Sequence, residues 1–173
     1  MGSRTTAWDR LGDYLHQTKI TGSIASTLYW DQNTRMPSAG ASWRGEQLAL
    51  LAIQLHSRQS SREYADLIQE ARVEWSQSGL STTEKLACGR NLDLLEQDLG
   101  RQQALDPALV AALATAKADG YNNWQQARAK SDFGLFAPSL RSIIGLRQEQ
   151  ARQLAEPRSC WETLAQPFEP DLT

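Results

Sequence analysis

Two histidines, at positions 16 and 56, are the first side chains in this sequence that could bind a catalytic metal ion. A helical metallohydrolase places two histidines one turn apart with a glutamate that activates water, as in an HExxH segment. His16 and His56 lie far apart in the chain, and neither stands in such a segment. We therefore interpret both as surface or half-buried helical residues. The sequence predicts no metal ligand, no cofactor-binding residue and no catalytic residue in this chain.

The two cysteines are the next candidates, because a thiolate can act as a nucleophile or a metal ligand. Cys88 and Cys160 are widely separated and form no CxxC pair, so neither a zinc knuckle nor a disulfide framework is indicated. Cys88 falls on one helical stripe with Leu92, Leu95 and Leu99, which favours an inert core thiol. A nucleophilic Cys88 is the weaker alternative.

Residues 30–37, WDQNTRMP, form a polar corner that begins with a tryptophan and ends with a proline. Asp31 and Arg35 have the spacing of a stabilising pair on a helix. Asp31 and Glu46 could in principle form an acid–base couple, but no third group accompanies them. Carboxylates near helix ends usually pair or cap, so we interpret the corner as a joint between two helices.

The composition limits the class of partner. The formal charge is −2, and the arginines are scattered, so no basic face for nucleic acid is indicated. The N-terminus has no apolar signal-peptide core, and no apolar run is long enough to span a bilayer. We expect a cytoplasmic protein in a reducing compartment, with neither nucleic acid nor membrane as a partner.

Helix-start and helix-stop signals follow one another along the chain, whereas strand-like alternation is nearly absent. Four start signals have clear capping chemistry: Thr6 with Asp9, Ser81 with Glu84, Asp106 with Pro107, and Ser159 with Glu162. Two helical segments precede Pro37, Ser38 or Ser42 can cap the next helix, and Gly79 and Gly100 are expected helix ends. The prediction is an all-α fold of seven or eight helices in an antiparallel array, with residues 1–173 as a single helical domain.

The apolar positions indicate how these helices pack. The helix after Pro37 has two apolar stripes, which predicts neighbours on more than one side; they are Leu48, Leu51, Ala52 and Leu55, and then Leu50 and Ile53. Small residues at 116, 120 and 127 would let a partner helix approach closely. Arg147 lies in line with apolar residues, so we expect its stem to cover the core and its head to reach solvent, with a partner surface as the alternative. Tryptophans occur one per helical segment and are predicted to pack in the core and between helices; they are Trp8, Trp30, Trp43, Trp75, Trp124 and Trp161.

Several of these segments together resemble the carboxypeptidase Taq family of zinc metallocarboxypeptidases. They are LYWDQ at 28–32, MP at 36–37, RGEQLA at 44–49, WQQARAKSDF at 124–133, LFAPSL at 135–140 and FEP at 168–170. They occur in the family's order and cover nearly the whole chain. The resemblance is to the N-terminal helical region of that family, whose members are much longer.

The resemblance implies an all-helical cap or wall beside an active-site groove, as part of a larger metallopeptidase-like fold. It implies that the zinc-binding HExxH, a downstream glutamate ligand and the substrate-carboxylate residues lie beyond this region, so the zinc catalytic region is absent here. A full-length relative would use zinc to release C-terminal amino acids from peptides, and this chain alone would be inactive. Homodimerisation, or a role as a stand-alone helical interaction module, is the alternative. An independent enzyme using Cys88 or the Asp31–Glu46 couple is the weakest interpretation.

Overall fold

The computed structural model describes residues 6–154, 156–170 and 172. Over that part of the chain it contains seven α-helices, two short 3-10 helices and no strand. The α-helices are α1 Ala7–Thr34, α2 Ala41–Gln59, α3 Arg62–Ser76, α4 Thr82–Gln103, α5 Pro107–Lys130, α6 Ala137–Leu154 and α7 Cys160–Ala165; the 3-10 helices are Ser38–Gly40 and Phe133–Leu135. The all-α prediction is confirmed. None of the described helices is long and apolar enough to cross a membrane.

The chain forms two compact units. The first unit consists of Met1–Ser23 and Leu55–Gln103, and the second consists of Ile24–Gln54 and Ala104–Thr173. Helices α1 and α2 therefore contribute residues to both units, α3 and α4 belong to the first, and α5 to α7 belong to the second. The single-domain description of residues 1–173 stays a prediction.

The four capping predictions at Thr6, Ser81, Asp106 and Ser159 are confirmed at the atomic level. The Ser159 hydroxyl accepts from the Glu162 N–H, and the Glu162 carboxylate accepts from the Ser159 N–H at 2.8 Å. Reciprocal bonds of the same kind join Thr6 to Asp9. The hydrogen bond from the Ser159 side chain and that from its backbone hold the pKa of the Glu162 carboxyl below its usual range. Helix ends of this kind can be read from sequence because donor and acceptor are only three residues apart.

Three predicted boundaries are wrong. The two segments expected before Pro37 are one helix, α1. Thr18 and Thr21, which lie between the two segments, donate their hydroxyls to carbonyls four residues earlier, a bond that a helix interior accommodates. Ser42 lies inside α2, and the turn from Pro37 has no side-chain cap. Helix α4 continues past Gly100 to Gln103, since an isolated glycine weakens a helix without having to end it.

The first unit is built on a core from α1, α3 and α4. Tyr14 and Tyr64 stack with ring centroids 5.4 Å apart, and the Arg58 guanidinium lies 4.1 Å from the Tyr14 ring centre. The Tyr14 hydroxyl donates to the Arg58 carbonyl at 2.8 Å. The buried core residues are Ala7, Leu11, Tyr14, Tyr64, Ile68, Ala71, Leu92 and Leu99.

Helices α3 and α4 approach closely at Gly89, which is buried beneath Trp75. A Cβ atom at position 89 would lie 2.9 Å from Cζ2 of Trp75. The indole is held in place because its Nε1 donates to the Lys85 carbonyl at 3.0 Å. Position 89 therefore requires a glycine because there is no room for a larger residue, and not because the backbone needs a special conformation.

We predict that Gly89→Ala lowers the free energy of unfolding by about 1–2 kcal/mol, although alanine is the better helix former. The added methyl group must displace an indole that is hydrogen-bonded. Urea unfolding of the 173-residue protein measures the change. Gly100→Ala in the same helix is the matched control, because a Cβ there meets no neighbour, and it should stabilise. A gain in stability from Gly89→Ala would contradict the packing described.

In the second unit, α5 and α6 approach at Gly120. A Cβ atom there would lie 2.8 Å from Cδ1 of Ile143, and Asn123 donates to the Ser139 hydroxyl at 2.8 Å one turn further along. The expected close approach at the small residues is confirmed at this position.

Arg147 is half-buried on α6, and its Nη1 donates to Gln150 at 2.6 Å.

The tryptophan prediction is wrong for four of the six residues. Trp8 and Trp75 pack, partly buried, against the core of the first unit. The other four are exposed: Trp30, Trp43, Trp124 and Trp161. The second apolar stripe of α2 is exposed as well, while Leu48 of the first stripe is buried. Helical spacing identifies residues that share a face, but it does not tell what covers that face.

Candidate functional site

The polar corner at the end of α1 is the most elaborate polar arrangement in the second unit. Helix α1 ends there with the N–H groups of Arg35 and Met36 both donating to the Asp31 carbonyl, at 2.8 and 2.9 Å. Pro37 then forces an extended backbone, and the short 3-10 turn leads into α2. This turn brings residues of α2 back beside the last turns of α1.

Arg44 of α2 is the centre of the corner. Its Nη2 meets the Asp31 carboxylate at 2.5 Å, its Nη1 donates to the Leu28 carbonyl, and its Nε donates to Gln47 at 3.0 Å. All three nitrogens of the guanidinium are therefore engaged. The side chain is 11% exposed and that of Asp31 is 36% exposed. This ion pair, in which the guanidinium is largely buried, fixes α2 to α1.

The predicted Asp31–Arg35 pair is corrected by this geometry, because the carboxylate pairs with Arg44 instead. Arg35 and Glu46 are exposed. Among the described residues no hydrogen bond or ion pair joins Asp31 to Glu46, so the acid–base couple is not formed. One signal for Arg44 was available in the sequence: positions 44, 48, 51 and 55 share one helical face, so Arg44 stands on the inward stripe.

Gln32 adds a second buried polar group. It is 4% exposed, and its Nε2 donates to the Ala118 carbonyl of α5 at 3.4 Å. Its Oε1 is buried and accepts no hydrogen bond within the described part of the chain. Burial also raises the pKa of the neighbouring Tyr29. These groups hold α1, α2 and α5 together, and the charges of Asp31 and Arg44 are paired with each other.

The histidines and cysteines lie elsewhere and do not converge. His16 is exposed, whereas His56 is buried rather than half-buried, with Nδ1 3.3 Å from Oε1 of Gln102. Cys88 is half-buried and Cys160 is exposed, and both thiols are free. In residues 6–154, 156–170 and 172, no three His, Cys, Asp or Glu side chains are grouped so that they could hold a metal ion. The described donor set therefore does not fit a zinc ion, and the prediction of no site residues stays a prediction.

The sequence is similar to those of several carboxypeptidases. It is 28% identical to thermostable carboxypeptidase 1 of Thermus thermophilus over 148 residues, which are 86% of this chain and 28% of that protein. It is 22% identical to carboxypeptidase 1 of Bacillus subtilis over 161 residues, covering 93% of this chain and 31% of that one. The chain thus spans less than a third of the length of these relatives.

Solved structures show the same fold over this region. The crystal structure of BsuCP superposes with a TM-score of 0.85 at 22% identity and covers 96% of this chain and 32% of its own. Metallocarboxypeptidase 1 of Trypanosoma cruzi gives a TM-score of 0.68 at 23% identity, with 96% and 32% coverage. The family model of the carboxypeptidase Taq (M32) metallopeptidases matches residues 10–173. With nearly the whole chain inside that match, the protein belongs to the carboxypeptidase Taq family.

Proposed function

We propose that this chain is the N-terminal helical portion of a carboxypeptidase Taq-type metallocarboxypeptidase, where it forms a wall or cap beside the peptide-binding groove. One observation carries the proposal: the family model matches residues 10–173, yet the alignment with the Thermus thermophilus enzyme covers 28% of that protein. The corner is consistent with this role, because the bonds of Arg44 to Asp31 and to the Leu28 carbonyl position α2 against α1.

The activity in which this portion would take part is the release of C-terminal amino acids from peptides. Zinc would supply the activated water in the complete enzyme, and its ligands would come from outside these residues, since the described side chains do not group into a ligand set. The 173-residue chain alone is therefore expected to be inactive. A cytoplasmic location is part of the proposal and is supported by the two free cysteines.

A chimera tests the proposal. This chain replaces the matching N-terminal segment of the Thermus thermophilus enzyme, and release of the C-terminal amino acid from a blocked dipeptide is measured with and without a zinc chelator. We expect chelator-sensitive activity from the chimera and none from the 173-residue chain supplied with zinc. A folded chimera without activity would contradict the cap role. Zinc-dependent release by the chain alone would contradict its proposed inactivity.

The second candidate function is a stand-alone helical interaction or dimerisation module. The exposed side chains of Trp30 and Trp43 favour it, because large aromatic residues on a surface are typical of binding sites. Light scattering of the 173-residue protein over a range of concentrations is the test. A protein that stays monomeric throughout would exclude dimerisation.

A further inference from the structure

Helix α2 carries an exposed apolar line on the side opposite its buried residues. Trp43, Leu50 and Ile53 are 67%, 57% and 40% exposed. With Glu46, which is also exposed, they stand at positions 43, 46, 50 and 53, so that steps of three and four residues alternate. That spacing places all four side chains on one face, as in the seam of two paired helices. These four residues are called the α2 stripe below.

The α2 stripe is not needed to hold α2 in the second unit. The opposite face does that through Arg44, which binds α1, and through Leu48, which is 2% exposed. Single exposed apolar residues are ordinary on protein surfaces. A tryptophan, a leucine and an isoleucine in helix-pairing register on one helix are typical of a binding surface.

The composition of the stripe indicates which partner it fits. If a second copy of α2 paired with it in parallel, Glu46 would face Glu46 and the two carboxylates would repel. If the second copy paired in antiparallel symmetry, position 43 would face 53 and position 46 would face 50. Glu46 would then be buried against Leu50 without a counterion, which is costly. A second copy of this chain is therefore a poor match.

We propose that the α2 stripe docks an amphipathic helix of the catalytic portion of a carboxypeptidase Taq-type enzyme. That helix would present an apolar stripe with an arginine or lysine opposite Glu46. More than two thirds of each relative compared lies outside the segment that this chain matches, so an enzyme of this family has ample chain to supply such a helix. The inference rests on the proposed function. It adds which surface of this chain would contact the catalytic portion and which side chains would make the contact.

Thermal unfolding in two settings tests the docking. Trp43→Gln, Leu50→Gln and Ile53→Gln are combined, because glutamine keeps helix propensity while it removes apolar surface. In the 173-residue protein the triple variant should change the Tm by less than about 2 °C, since these side chains are exposed. In the chimera with the Thermus thermophilus enzyme it should lower the Tm by about 5 °C or more. Leu86→Gln, an exposed leucine on α4 of the first unit, is the matched control and should have little effect in either protein.

Charge at position 46 provides an independent readout. In the chimera Glu46→Lys should lower the Tm more than Glu46→Gln, because it places a cation opposite the expected basic residue. Equal Tm values for the two variants would overturn the charge assignment.

Each remaining outcome decides between alternatives. A triple variant that leaves the chimera's Tm unchanged overturns the docking, even where the parent chimera is active and the proposed function stands. An equal loss of Tm in both proteins assigns the stripe to the second unit's own packing and also overturns the docking. Dimerisation of the 173-residue protein that the triple variant abolishes, with the chimera unaffected, assigns the stripe to a second copy. A parent chimera that fails to fold overturns both the docking and the proposed function.

Discussion

Leu92→Ala is expected to lower the free energy of unfolding of the 173-residue protein by about 3–4 kcal/mol. Leu92 is 0% exposed and belongs to the core cluster that contains Leu11 and Ile68. Removing three buried carbon atoms loses their transfer free energy and leaves a cavity, which together cost about 2–5 kcal/mol in well-packed cores. The cluster draws on three helices and includes the stacked rings of Tyr14 and Tyr64, and the Tyr14 hydroxyl is hydrogen-bonded, so the site has little freedom to collapse.

Urea unfolding followed by circular dichroism measures this loss. Leu86→Ala on the same helix is the control, because Leu86 is exposed and its truncation should change stability by about 0.5 kcal/mol or less. A loss below about 1 kcal/mol for Leu92→Ala would mean that the core of the first unit is not packed as described.

Asp31→Ala is expected to cost about 2–3 kcal/mol, the second-largest effect. The substitution leaves the guanidinium of Arg44 largely buried without its carboxylate, and removing one partner of a fully buried pair costs about 3–5 kcal/mol. We expect the smaller cost of about 2–3 kcal/mol because the Asp31 side chain is 36% exposed, so that water already weakens the ion pair and can solvate part of the charge left on Arg44. Helix α2 should also lose order where Arg44 joins it to α1.

The control is Asp66→Ala, which breaks the exposed Arg62–Asp66 pair and should cost about 0.5 kcal/mol or less. Replacing both partners of the corner, with Asp31→Leu and Arg44→Met, should recover more than half of the stability lost in Asp31→Ala, because no unpaired charge remains. Equal losses for Asp31→Ala and Asp66→Ala would show that the corner pair behaves as a surface pair.

The features that could be predicted from sequence are those in which the interacting groups are close in the chain. The caps at Thr6 and Ser159 and the Asp106–Pro107 start were predictable because each bond spans two or three residues. The ion pair of Asp31 was not predictable in this way, because Arg35 and Arg44 were both possible partners of its carboxylate. Arg35 has the favourable local spacing, but Arg44, thirteen residues away, has its other two donor positions fixed by Leu28 and Gln47.

The exposed tryptophans illustrate the second limit of sequence reasoning. The spacing of Leu50 and Ile53 predicts that they share a face of α2, and in the structure both are exposed, as is Trp43. Whether that face is covered depends on chain that is distant in sequence or belongs to another part of an enzyme, and local periodicity carries no information about it. The family resemblance rests on short segments of sequence, so it could be recognised from them. The catalytic chemistry could not be assigned to any residue of those segments.

Gln32 has a consequence for how much sequence change the second unit can tolerate. A buried acceptor without a partner costs about 1–3 kcal/mol. Natural chains drift until they sit just above the stability that they require, because most substitutions destabilise and only those below that threshold are removed. A well-packed apolar side chain at position 32 would remove this cost, and the second unit would then tolerate further destabilising substitutions of about the same total size.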